Sequence, residues 1–452
     1  MKGLYNKLPA FIQDMAVSLA GANQKKSRYD EDYHQFFNAQ MEREHWSEEQ
    51  VHAYQKIQLG NALERASRTP YYSTLFKSMG AHWSELTEYN NFKNIPITYK
   101  ESVSENPAAF KPRDSIKTDK LISTSGTTGK SLTFSASKSF DSQQWAVWWR
   151  YRARFGIKQW TKCALFSSTP IVPSTETKRF FRLNNAYNEY RFSVFHISEK
   201  TVAAYVHSLN KIKAPWIHGN PSALSLLAKL MLDNNLTLNH KVHWLTIGSE
   251  NLQSWQEDVL LKVFGTKPIQ HYGLMEGVSN ISQCPSGNLH TDEDFSFTEF
   301  VTQGNSESKL IVGTSFCNDA FSLLRYSTND LATLKQGHCS CGRPGRLVSS
   351  IDGRFTDYIT LAGGEKVASL AGPFHSTPGL SEAQIYQDTT GALTVRYVPS
   401  IDWDSKNLIS LESKLRDRIG NSLPIRFQIV DKVERTPRGK AKLVISDYIP
   451  NK

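Results

Sequence analysis

The segment Leu121–Ser131 reads LISTSGTTGKS, a short apolar lead followed by hydroxyls, glycines and one lysine. Ile122 and its neighbours read as the end of a buried strand. Ser123, Thr124, Ser125, Gly126, Thr127, Thr128, Gly129 and Lys130 read as the loop that follows it. Glycines let successive N–H groups point into one concavity and hold an anion there. The hydroxyls add donors and Lys130 adds a point charge, so the chemistry is phosphate binding, most simply the triphosphate of a nucleotide. Gly129-Lys130-Ser131 fits the end of a Walker A loop, but the first glycine of that pattern would have to stand at Thr124. The segment is not a Walker P-loop. A Ser/Thr-rich surface turn is the plain alternative, although such a turn needs only one glycine.

Two other groups of residues could do chemistry. Cys284, His290, Cys339 and Cys341 make a full tetrahedral donor set for Zn2+, with His338 as a spare. Cys-x-Cys is tighter than the usual Cys-x-x-Cys and the two pairs are far apart in sequence, so buried free thiols are the alternative. Near the C-terminus, Arg435-Thr436-Pro437-Arg438-Gly439-Lys440, with Lys442 just beyond, places cations on a loop. Without other motifs, these lysines read as a solvated tail.

The elements that must position these groups alternate. Trp46–Phe76 is helical in character, with Ser47 ahead of acidic residues and Pro70 closing the main run. Asn94–Phe110 is a short loop-and-helix segment, and Leu132-Thr133-Phe134 alternates like a strand. Ser139–Gly156 reads as a long helix carrying Trp145, Trp148 and Trp149, then Arg150, Arg152 and Arg154. That run could stack nucleic-acid bases; packing of the tryptophans on a sheet, with the arginines facing water, is the favoured reading. Strands are expected at Cys163–Phe166, Trp216–Gly219, Trp244–Gly248 and Pro268–Gly273, with a helix at Pro221–Asp233. Such alternation predicts an α/β fold with mostly parallel sheets and ligands at the strand carboxyl ends. The last hundred or so residues hold shorter strands around one helix at Leu408–Leu423, a small α+β domain. The expected division is a large domain over residues 1–352, helical in its first part (about 1–115), and a small domain over 353–452.

At 452 residues the chain exceeds one ordinary core. Its 39% hydrophobic and 21% charged content is that of a soluble globular protein. A net charge of +10 favours acidic ligands or an anionic surface, but no basic block occurs, so nucleic acid is not expected as a partner. No run approaches the about 18 apolar residues of a spanning helix. Leu8, Ile12 and Leu19 could share one face of a short helix, for core or domain packing or for peripheral membrane contact. Lys7, Pro9, Gln13 and Asp14 break any secretory core there, and five unevenly placed cysteines form no disulfide framework. A cytoplasmic location is the expectation.

The loop Ser123–Lys130 closely resembles the phosphate loop of the AMP-binding, adenylate-forming enzymes. Four further elements resemble that family in the same order. Tyr272-Gly273-Leu274-Met275-Glu276 resembles its Tyr-Gly-x-x-Glu element, which implies that Tyr272 stacks on adenine and Glu276 helps to hold Mg2+. Leu324–Asp330 resembles Tyr-x-Thr-Gly-Asp and makes Asp330 the ribose ligand. Asn329 stands where glycine is usual, and Asn tolerates left-handed geometry. Asp352–Asp357 resembles the hinge between the domains, with Arg354 on ribose or phosphate and Thr356 at the hinge position, and Gly363-Gly364 follows. Arg435–Lys440 resembles the loop of the adenylation lysine, which makes Lys440 catalytic, with Lys442 its rival. Gly248, Ser249 and Glu250 are a looser match to the turn that borders adenine, and a plain turn fits them nearly as well.

The resemblance implies ATP and Mg2+ as cofactors, with catalysis by Lys440, Glu276 and Thr128 and a small domain that moves between steps. A carboxylic acid would attack the α-phosphate to give an acyl-adenylate, and a cation from a closing domain would stabilise the charge that develops. The phenylacetate-CoA ligase-like branch often carries a Cys/His site beside this strand, which strengthens the expectation of a structural Zn2+. Thr69-Pro70-Tyr71-Tyr72 and Ile95–Lys100 resemble the CapK-type members, associated with capsular polysaccharide. The acceptor would then be CoA, or an amine or hydroxyl on a sugar or nucleotide sugar. A non-catalytic nucleotide sensor or scaffold is the opposing class. Trp145, Trp148, His218 and His271 are candidate walls of an acid pocket, or core.

Overall fold

The computed structural model describes residues 2–114, 120–124, 132–302, 307–354, 358–361, 366–367, 370, 373–374, 377–400, 402–420, 423–435 and 442–448. The chain divides into two compact units, Met1–Ala22 with Trp160–Gln270 and Asp352–Lys452, and Asn23–Gln159 with His271–Ile351.

In the first unit, strands Phe181–Asn184, Glu189–Ser193, Cys163–Ser167, Trp216–Gly219, Trp244–Ile247 and the start of Pro268–Gly273 lie side by side in that order. All neighbours run parallel except the outermost pair. Parallel strands need crossovers, and helices Val202–Ile212, Pro221–Asp233 and Ser254–Phe264 supply them. In the first of these helices Val202, Tyr205, Val206, Leu209 and Ile212 are buried, the apolar stripe that a 3.6-residue period puts on one face. Gly219 ends its strand where a Cβ would come within 2.8 Å of the Phe166 Cβ, so the next helix can close on the sheet only over glycine.

The same unit holds a smaller sheet in the order Ile425–Ile429, Leu393–Pro399, Leu380–Gln387, Val444–Ser446. Its central pair is antiparallel and both outer pairs are parallel. Helix Asn407–Ile419 buries Leu411, Leu415 and Ile419 against Ile385, Val395 and Tyr397. This is the α+β pattern expected of the last hundred or so residues.

The second unit opens with helices, among them Glu31–Glu42, Glu48–Ser67 and Pro70–Ser78. Ser47 caps the second through a reciprocal pair of bonds with Gln50, and Thr69 caps the third ahead of Pro70 at its first turn. A row of strands follows in the order Ser296–Thr302, Lys309–Ser315, Tyr326–Lys335, Leu347–Arg354, Leu289–Thr291, Asn280–Gln283 and the end of Pro268–Gly273. Here the pairings at both ends of the row are antiparallel, so the expectation of mostly parallel sheets holds only for the first unit. Helix Lys138–Arg154 belongs to this unit and matches the expected long helix.

Its arginines, however, do not face water. Arg150 is 2% exposed, and Arg152 and Arg154 are buried as well. Arg150 reaches Asp292 and both oxygens of Asp294 at 2.8 Å, while Arg154 meets Glu44 and, at 2.9 Å, Asp292. Arg152 lies over the rings of Trp149 and Tyr151. Buried guanidinium groups persist because carboxylates from distant segments are buried with them.

Candidate functional site

The stem of the glycine-rich loop is a two-stranded ladder, Lys120–Ser123 against Thr133–Ala136. Above it the Thr124 N–H donates to the Leu132 carbonyl at 2.8 Å, and the Leu132 N–H donates to Thr124 Oγ1 at 3.2 Å. The hydroxyls of Ser123 and Thr133 are 2.8 Å apart. The two ends of the loop are therefore pinned together. Ser125, Gly126, Thr127, Thr128, Gly129 and Lys130 lie outside the described residues.

In the same unit, the phenol of Tyr272 donates to Asp330 Oδ2 at 2.8 Å. Asp330 is presented by a turn in which Asn329 takes φ +58°, the left-handed geometry that its side chain tolerates. The Asp330 N–H donates to Thr328 Oγ1, and that hydroxyl donates in turn to the Ile311 carbonyl. Burial, reinforced by the Asp330 charge, pushes the Tyr272 phenol well above its ordinary pKa, which keeps it a neutral donor. Glu276, four residues beyond Tyr272, is buried. Between them a Cβ on Gly273 would come within 2.8 Å of His271 Cε1, 2.9 Å of Asn280 Oδ1 and 3.0 Å of Trp148 Nε1. Glycine follows Tyr272 because three side chains converge there.

His271 stacks on Tyr151 with centroids 4.5 Å apart, and its Nε2 lies 2.8 Å from Asn280 Oδ1. Trp148 donates to the same oxygen, and Trp145 packs edge-on against Trp148. Burial lowers the His271 pKa to about 4, so the ring is neutral near pH 7. With Nε2–H donating to Asn280, its Nδ1 is an acceptor. Asn280 then donates to Asp292 at 2.6 Å, which joins this aromatic group to the buried arginines. Burial alone would raise the Asp292 carboxyl, but Arg154 and Arg150 hold it well below the usual carboxylate range. Asn280, Asp292, Asp294 and Glu44 were not singled out from the sequence. The one available signal was two arginines one helical turn apart on an aromatic face. His218, the remaining candidate wall, belongs to the other unit and pairs with Thr246 Oγ1 at 2.8 Å.

Gly248, Ser249 and Glu250 follow strand Trp244–Ile247 in the first unit. Ser249 has φ +68°. The Glu250 carboxylate accepts from Asn220 at 2.9 Å and from the Ser222 N–H at 3.1 Å, and so caps helix Pro221–Asp233. Its carboxylate thus has a structural task. The Arg354 side chain, Thr356, Gly363, Gly364 and Lys440 lie outside the described residues. Lys442 is described, and its backbone is tied to Glu434 and Gln384.

Cys284, His290, Cys339 and Cys341 converge, with one donor atom from each lying within 4.8 Å of all the others. The Cys284 and Cys339 sulfurs are 3.7 Å apart, and Cys341 Sγ is 3.4 Å from His290 Nε2. Tetrahedral Zn–S bonds of about 2.3 Å separate two sulfurs by about 3.8 Å. His290 Nδ1 faces the Pro344 carbonyl at 3.2 Å; donation there leaves the Nε2 lone pair directed at the thiols. Burial raises the Cys339 thiol, but hydrogen bonding with the Cys341 amide and the neighbouring side chains outweighs it and brings it down to about 6. The donor set fits Zn2+. His338, the spare, is exposed and pairs with Glu48. Arg343, two residues beyond Cys341, donates to Glu44 and so attaches the cluster to the buried charges.

Residues 363–447 match the family model described as the CapK C-terminal domain. Protein CapK of Staphylococcus aureus is 25% identical over 98% of this chain and 99% of its own length. A phenylacetate-coenzyme A ligase of Thermus thermophilus is 30% identical over 27% of this chain and 30% of its own length. Among solved structures, 2-hydroxyisobutyryl-CoA ligase in the postadenylation state, in complex with R3-HIB-AMP, superposes with a TM-score of 0.63 at 17% identity, covering 87% of this chain and 89% of that one. An open conformation of that ligase, in complex with 2-HIB-AMP and CoA, gives 0.54 at 17% identity over 87% and 91% of the two chains. Residues 363–447 are therefore similar to a CapK C-terminal domain, and the chain shares the fold of 2-hydroxyisobutyryl-CoA ligase.

Proposed function

We propose that the protein is an ATP-dependent ligase that activates a carboxylic acid as acyl-AMP with release of pyrophosphate, and then transfers the acyl group to an acceptor. The observation that carries this reading is the Tyr272–Asp330 pair, with buried Glu276 four residues beyond Tyr272 and, in the same unit, the paired residues Thr124 and Leu132 that flank the glycine-rich segment. Ser123, Thr124 and the loop to Lys130 would receive the phosphates. The ring of Tyr272 would take adenine, Asp330 the ribose hydroxyls and Glu276 the Mg2+. Lys440 would stabilise the charge that grows as pyrophosphate departs. His271 Nδ1 offers an acceptor to a hydroxyl or amine on the acid. Cys284, His290, Cys339 and Cys341 would hold a Zn2+ whose part is structural, since four protein donors leave no open position.

For the acceptor, the first reading is a sugar or nucleotide-sugar amine or hydroxyl in cell-surface polysaccharide synthesis, in keeping with the CapK resemblance and the end-to-end similarity to Protein CapK; a cytoplasmic location is part of this proposal. CoA is the second reading, supported by the phenylacetate-CoA ligase match and by the CoA-bound ligase of the same fold. The test is pyrophosphate release by the purified chain with ATP, Mg2+ and aryl, aliphatic, hydroxy and amino acids, with and without CoA. Turnover with one acid class is expected, and dependence on CoA decides the acceptor. ATP binding with no release from any acid would favour a nucleotide sensor instead.

A further inference from the structure

Helix Ala10–Arg28 is amphipathic with its faces reversed. The side turned to the sheet of its own unit is polar. Gln13 is 1% exposed and accepts from Arg182, while its amide donates to the Tyr5 and Leu8 carbonyls. Asp14 accepts from the Leu183 N–H at 2.9 Å and pairs with Arg179 at 2.7 Å. Ser18 donates to the Leu183 carbonyl and accepts from the Asn185 N–H. A Cβ on Gly21 would come within 2.2 Å of Asn184 Oδ1. These groups cover strand Phe181–Asn184, the outermost of its sheet, whose edge N–H and C=O groups need partners.

The opposite side is apolar and open. Phe11 is 63% exposed, Met15 60% and Leu19 65%, each four residues from the next, and Leu4 just before the helix is 71% exposed. Leu19, read with Leu8 and Ile12 as one face for packing or for membrane contact, faces outward, while those two are half-buried. Among the described residues of this unit, none covers the stripe.

Charge selects the occupant. Between Leu4 and Tyr29 the only acid is Asp14, which is turned inward and paired. Lys7 is exposed, as is Lys178 in the segment that Tyr5 and Asp14 fasten through Ile171 and Arg179. A second copy would bring the same basic rim against itself, in a chain of net charge +10. No helix among the described residues is long and apolar enough to cross a membrane. We propose that this face docks the protein on an anionic lipid surface, with Phe11, Met15 and Leu19 entering the headgroup boundary and the lysines meeting the lipid phosphates.

The test is co-sedimentation of the full chain with phosphatidylcholine vesicles, with and without phosphatidylglycerol. The expected result is binding to the anionic vesicles that weakens with added salt. The triple variant Phe11→Ser, Met15→Ser, Leu19→Ser should bind them at least about tenfold more weakly, with an unchanged melting temperature because the three side chains are exposed. Lys7→Glu with Lys178→Glu should weaken binding to the anionic vesicles only. Equal binding by the triple variant and the parent, or no binding by the parent, would overturn the proposal. So would a parent dimer that the triple variant converts to monomer in sedimentation velocity, since a second copy would then own the face.

Discussion

Tyr272 and Asp330 are held 2.8 Å apart by two separate strands, so neither side chain can shift without disturbing the other. If the ring receives adenine and the carboxylate receives ribose, this bond fixes the angle between the two ends of the nucleoside. Tyr272→Phe keeps the ring and frees the carboxylate; ATP affinity should fall by about three- to tenfold. Asp330→Ala removes the ribose contact and leaves a buried phenol without its acceptor. Affinity should then fall at least about tenfold, with a lower melting temperature. Calorimetric titration with ATP and thermal denaturation separate the two effects. Equal ATP affinity in both variants and the parent would remove Asp330 from the nucleotide site.

The Cys/His cluster makes a prediction that does not depend on any substrate. Purified protein should carry one zinc per chain by elemental analysis. Stripping it with a chelator should lower the melting temperature by about 5 °C or more, and Cys284→Ser should do the same. Acidification should loosen the metal, because each ligating sulfur must be a thiolate and protons compete for it. The Cys339 thiol sits near 6, below its ordinary value, so its share of the affinity is present above that pH and is lost as pH falls through it. Cys339→Ser holding zinc as tightly as the parent would show that this sulfur is not a ligand.

Asp292 accepts from Arg150, Arg154, Asn280 and Ser282 at once. Asp292→Asn keeps the shape but removes the charge that two buried guanidinium groups need, and should cost about 3–5 kcal/mol in urea unfolding. The folded-state pKa of Asp292 lies below its unfolded value, so its stabilisation is present above the unfolded pKa and is lost as pH falls through the folded one. The parent should therefore lose stability only below the ordinary carboxylate range, and the variant should lose less there. The His271 ring would also lose its anchor in Asn280, so substrate KM should rise more than kcat falls.

How much of this was legible depended on how far apart the partners lie. Asn329 could be read alone, because a left-handed position needs only its own side chain, and it has φ +58°. Four donors for zinc could be counted along the chain, though not their convergence. The buried state of Arg150 and Arg154 could not be read, since the carboxylates that compensate them come from residues 44, 292 and 294. In isolation, the favoured place for an arginine is water. The capping task of Glu250 was hidden for the same reason: the groups it caps, Asn220 and Ser222, stand upstream. The reversed helix ran against the usual assumption that apolar stripes face inward; here a sheet edge demanded polar groups first.

Lys440 and Lys442 remain to be separated by chemistry. The backbone of Lys442 is fastened on both its N–H and C=O, to Glu434 and Gln384, beside strand Leu380–Gln387. Lys440 is the position that resembles the adenylation lysine, so it is the proposed cation. Lys440→Ala should therefore lower pyrophosphate release by about 10²–10³-fold, with ATP affinity nearly unchanged, because the contact exists only as charge leaves the α-phosphate. Transfer of acyl from a supplied acyl-adenylate should continue in that variant, because no pyrophosphate departs in the second step. Lys442→Ala should leave both steps close to the parent. The reverse pattern would move the catalytic cation two residues along and mean that the small sheet itself, not its loop, delivers the charge.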